Sequence, residues 1–120
     1  MHDVKVDKIN NRLYISLKGF IEDSEVKEAS DKVIAAMSEL KQGFVIINDI
    51  SDFKPASKEG GIYIKKAQEE VIKKGASKVI RVVDSVIGKL QFKRLSQEIG
   101  ASYEVIEVQS LEDAEKYLAK

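Results

Sequence analysis

Two groups of side chains in this 120-residue chain have types and spacing that could do chemistry. Asp49, Ser51 and Asp52 stand together, with Asp84 and Ser85 further along. Their oxygens could hold a divalent cation, although Asp and Ser at such places also serve simply as turn and cap residues. Ser57 stands ahead of Gly60 and Gly61. At a helix start, its hydroxyl would lie where free backbone N–H groups and the positive end of the helix dipole stabilise a phosphate. The same serine is equally an ordinary N-cap. The glycine pair could admit a closely approaching ligand or only loosen the first helical turn. It is not a P-loop, which needs lysine and a hydroxyl residue directly after its last glycine.

Nucleophile chemistry lacks its usual partners. There is no cysteine, so thiolate catalysis, disulfides and cysteine-ligated metals are excluded. His2 is the single histidine, at a terminus of the kind that commonly frays, which leaves no placed imidazole base. Among 20 Asp and Glu residues no acid–base pair stands out. The chain reads as non-catalytic, with no cofactor or metal implied.

Hydrophobic spacing supplies the elements that would position these groups. Val4 and Val6, then Leu13, Ile15 and Leu17, alternate with polar residues, and Asn10-Asn11 between them suits a hairpin turn. From Asp23-Ser24 the period lengthens. Val26, Ala29, Val33, Ala36, Met37 and Leu40 predict a side-chain-capped helix of about five turns, ending before Gly43. Phe44–Ile47 is apolar without alternation, as a central strand covered on both faces would be. A turn-rich stretch containing Pro55 leads to a helix with Ile64, Ala67 and Val71 inward, closed by Gly75. Lys78–Val83 predicts a strand, and Ser85 caps a helix turning Phe92, Leu95 and Ile99 inward up to Gly100. Ser102–Val108 predicts the last strand, and a helix carrying Leu111, Ala114, Tyr117 and Leu118 follows Ser110. The string is ββαβαβαβα, one α/β domain over 1–120, with a mixed, mostly parallel sheet and an antiparallel N-terminal hairpin.

This order of elements, together with Val45-Ile-Ile-Asn-Asp-Ile-Ser51 and Ser57-Lys-Glu-Gly-Gly61, resembles the STAS domain, and within it the SpoIIAA-like group. The resemblance implies a regulatory, anti-sigma-factor-antagonist-like domain. It also implies a phosphorylatable serine, here Ser57. The acidic residue that the family places before that serine is Ala56 here, and its closely following glycine is replaced by Lys58-Glu59. The group is also compared with CRAL-TRIO lipid-binding domains, which implies a second reading as a lipid or small apolar ligand site.

Surface properties narrow the partner. Lys plus Arg and Asp plus Glu are 20 each, so no broad positive field exists to draw nucleic acid or anionic membrane. Lys65-Lys66, Lys73-Lys74, Lys89 and Lys93-Arg94 read as solvated helix faces. No apolar run approaches the ~20 residues of a membrane span, and the N-terminal stretch lacks a signal core. With no cysteine, a soluble cytoplasmic protein is expected. Helical phase turns Ile62, Val86 and Leu90 outward, an apolar patch suited to a protein partner or self-association. As a pocket, the same rim would be lined by Phe53, Ile62, Tyr63 and Ser57.

Overall fold

The computed structural model describes residues 1–83, 86–98, 100 and 103–119, the side chains of 86–89 and 96 excepted. Its strands are β1 (His2–Asp7), β2 (Arg12–Leu17), β3 (Val45–Asp49), β4 (Lys78–Val82) and β5 (Glu104–Val108). Its helices are α1 (Asp23–Ala36), α2 (Lys58–Lys74), α3 (Val86–Glu98) and α4 (Leu111–Leu118). The predicted order holds throughout, and the sheet runs β1-β2-β3-β4-β5. Only β1 and β2 pair antiparallel; β3 is central and β2 to β5 run parallel. The resulting structure is a mixed five-stranded α/β sheet.

A parallel sheet that grows in one direction through right-handed crossovers keeps its connecting helices on one face. Buried residues of α1, α2 and α3 accordingly pack with Leu13, Leu17, Ile46 and Val79. On the opposite face, Ile47, Ile80 and Val82 pack with Ala114 of α4. Tyr14 on that face donates to the Glu115 carboxylate at 2.7 Å and ties α4 to β2.

Local chemistry explains the turns. The hairpin loop is longer than a two-residue turn, because register pairs Asp7 with Arg12 and leaves 8–11 between them. Asp7 accepts from both the backbone and the side chain of Asn10, and of the loop residues 8–11 Asn11 alone adopts positive φ, at 56°. Asn11 also bonds Lys41 in both directions, anchoring the hairpin to the turn before β3. At the end of α2, Gly75 takes φ 85°, and a Cβ there would meet Gln42 at 2.6 Å.

Three details differ from the sequence reading. First, α1 has no side-chain cap and stops at Ala36, after which Met37–Glu39 tighten into a 3-10 turn. Met37 is nevertheless buried, so the apolar period outlasts the α-helix. Second, the terminus is pinned rather than frayed. His2 lies within β1, its Nδ1 sits 2.6 Å from Glu25, and the terminal ammonium donates to the Lys18 carbonyl. Third, Phe53 is core, at 1% exposure, packed edge to face on Phe92 with ring centres 5.8 Å apart. The predicted cap Ser85, together with Asp84, Ile99 and Ser102, lies outside the described residues.

Phe53→Ala is expected to lower stability by about 3–5 kcal/mol in denaturant unfolding, the cost of truncating a buried aromatic. The hydrogen bond from His2, aided by the terminal ammonium, holds the Glu25 carboxyl below its ordinary 4.5. A depressed carboxylate contributes stability that is present above its unfolded pKa and lost as pH falls through the folded one. Glu25→Gln is therefore expected to flatten the decline of stability below about pH 4.5, read from denaturant unfolding at a series of pH values.

Candidate functional site

Ser57 is the N-cap of α2: its Oγ accepts from the Gly60 N–H at 3.1 Å. The same hydroxyl donates to the Asp23 carboxylate at the first residue of α1. Two helix starts thus share one serine. Gly60 makes this approach possible, since a Cβ there would stand 3.0 Å from Ala56 and 3.2 Å from Asp23. The glycine serves helix-to-helix contact. Ser30 of α1 adds a bond to the Tyr63 carbonyl, and Tyr63 is half-buried against the core rather than open on the rim.

A groove runs between this helix start and α3. Gln91 of α3 fixes its floor, accepting from the Ala56 N–H at 2.9 Å and donating to the Ala56 carbonyl at 3.0 Å. Ser57, Ile62, Lys65, Gln91, Arg94 and Glu98 line one stretch. Leu90 and Lys93 line its continuation past Ala56. Ile62 is 60% exposed and Leu90 is 54% exposed, as their helical phase predicts. The side chain of Val86 lies outside the described residues. Phe53 belongs to the interior and not to this wall, because it fills the space under Phe92.

The groove wall is basic although the chain is neutral. Lys58, Lys65, Lys93 and Arg94 line it, with Glu98 the one lining carboxylate among the described residues, paired with Lys65 at 3.6 Å. Asp49 is used locally, its carboxylate accepting from the backbone and hydroxyl of Ser51 as in an ordinary turn. No group of three potential metal-ligating side chains occurs among the described residues.

Several residues escaped the sequence reading. Phe20, on the connection from β2 to α1, is 78% exposed. Asn48, Gln68 and Arg81 are buried on the helix-covered face of the sheet. A signal existed for two of them: Gln68 occupies the inward phase between Ile64 and Val71, and Arg81 interrupts an otherwise apolar strand.

Strand order by itself gives no crevice at the strand ends among the described residues. Ligands of open α/β sheets gather where strand order reverses, and this sheet has no reversal.

No protein-family model matches the sequence, and no curated protein does. Solved structures match its whole length. An uncharacterised DUF3478-family protein with a SpoIIAA-like fold from Shewanella loihica PV-4 superposes with a TM-score of 0.75 at 12% identity, over 98% of this chain and 93% of that one. The SpoIIAA-like fold is therefore shown. The anti-sigma factor antagonist SpoIIAA in its unphosphorylated form gives 0.65 at 14% identity, over 99% and 96% of the two chains. The phosphorylated Bacillus cell fate determinant SpoIIAA gives 0.66 at 15%, over 98% and 99%. No helix among the described residues is long and apolar enough to cross a membrane.

Ser57→Ala is expected to cost about 1 kcal/mol, as loss of an N-cap does. Aspartate is normally a good N-cap, but here it would face Asp23. Ser57→Asp is accordingly expected to remain destabilised, and adding Asp23→Asn to restore most of the loss in thermal unfolding.

Proposed function

We propose that this chain is a non-catalytic regulatory domain that binds a protein partner in the groove between the start of α2 and α3. The observation that carries this reading is the exposure of Ile62 and Leu90 on a groove walled by Lys58, Lys65, Lys93 and Arg94. Its fold supports a regulatory role, being shared with an anti-sigma factor antagonist over nearly the full length of both chains. The groove suits a segment with one or two aliphatic anchors flanked by Asp or Glu, since apolar contact supplies affinity and opposite charge supplies orientation.

Ser57 gives this surface a means of regulation. A phosphate there would bring a charge of about −1.5 to −2 and remove the proton now donated to Asp23. Like-charge repulsion would then strain the junction of α1 and α2 at the edge of the groove, while nearby Lys58 and Lys65 would compete for the phosphate.

Pull-down and sedimentation of the full chain test the surface. Ile62→Asp and Leu90→Asp are each expected to weaken partner capture or self-association at least tenfold with unchanged thermal unfolding. Lys65→Glu combined with Arg94→Glu should weaken it further at low salt than at high salt. Association unaltered by both aspartate substitutions would count against the groove.

A further inference from the structure

Beneath α1 and α2, against the sheet, lies a cavity of about 80 Å³. Its lining is mostly aliphatic, yet Asn48, Gln68 and Arg81 contribute to it. The register explains how two of these meet: Asn48 of β3 sits directly beside Arg81 of β4, on the face that the helices cover. Gln68 comes down from α2 opposite them, from the inward phase of that helix.

Asn48 and Gln68 are 7% and 8% exposed, and neither Asn48 Oδ1 nor Gln68 Oε1 accepts a hydrogen bond from any described residue. Gln68 Nε2 reaches the Phe92 carbonyl at 3.5 Å, a long contact, and Gln68 itself lines the cavity. A buried carbonyl oxygen without a donor is costly, and two on the wall of one cavity call for a donor inside it. Arg81, 3% exposed, stacks its guanidinium 5.7 Å from the Phe92 ring centre. Burial lowers its pKa, while Tyr103 and Glu107 favour the charged form.

We propose that this cavity is a binding site for a small uncharged molecule with a short aliphatic part and O–H or N–H donors, such as a short diol or a simple amide. Size follows from volume: at roughly 30 Å³ per water and about 150 Å³ for a benzene-binding cavity, the space suits about three or four non-hydrogen atoms. Charge follows from the wall. A cation would meet Arg81, an anion such as a carboxylate would be drawn to Arg81 but would bring no donor to the two carbonyl oxygens, and a purely apolar guest would leave both oxygens unsatisfied. The site is separate from the partner groove, and its test does not depend on a partner.

Titration of the 15N-labelled 120-residue chain with ethane-1,2-diol, acetamide and acetate tests it. Saturable shifts centred on the amides of Asn48, Gln68 and Arg81 are expected with the diol or acetamide and not with acetate. Gln68→Met removes an acceptor at similar length, and Ala67→Val narrows the cavity while keeping both amides. Each is expected to weaken binding about tenfold or more. If Gln68→Met fails to fold, Ala67→Val decides alone. The proposal is overturned by the absence of saturable shifts with both neutral probes, by acetate binding as tightly as they do, or by undiminished affinity in the folded variants.

Discussion

Because the sheet is laid down in chain order, three crossover helices must share one face of it. Only α4 is left for the other. Much of the remaining structure is a consequence of that crowding. The three helices cover the interior with two adjoining clusters, one around Leu13, Phe44 and Ile46 and one around Leu17, Phe53 and Phe92. Where α1 and α2 converge, glycine is required, and Gly60 lets Asp23 reach Ser57. Where α2 and α3 stay apart, the gap becomes the surface groove, bridged at its floor by Gln91. Under the helices, the fit over the polar row of the sheet is incomplete and a cavity remains.

Electrostatics divides the molecule more sharply than its balanced composition suggests. Many surface charges are neutralised along the helices themselves, as in Lys27 with Asp31 and Lys73 with Glu70, and exposed pairs of this kind add little stability. In contrast, the groove is lined by four cationic side chains, two from α2 and two from α3, with Glu98 the one lining carboxylate among the described residues. A neutral chain can therefore carry a local field on the surface where its apolar side chains are also exposed. Field and patch together specify an orientation for a partner, which neither would do alone.

The junction of Ser57, Asp23 and Gly60 has a double character. As a cap it satisfies one of the free N–H groups at the start of α2. As a contact it joins that start to α1 through a carboxylate. A single hydroxyl proton connects the two, so any change at this serine is felt by both helices and by the groove edge between them.

Much of the architecture was legible in the residues. Periods of two and of three to four, glycines at helix ends and the unbroken apolar run before Asn48 are local signals, and local signals suffice to order ββαβαβαβα. The outward phase of Ile62 and Leu90 was readable for the same reason, since 3.6 residues per turn leaves them opposite the inward face. Phe53 was not, because a turn residue has no period, and its burial depends on Phe92 arriving from 39 positions away. His2 and Glu25 likewise meet only when β1 lies beside α1. The cavity lay furthest from reach: Asn48, Gln68 and Arg81 come from two strands and a helix, and strand register and helix height alone set them around one space. Periodicity in sequence determines which side of an element turns inward; only tertiary packing decides what it meets there and whether the space is filled.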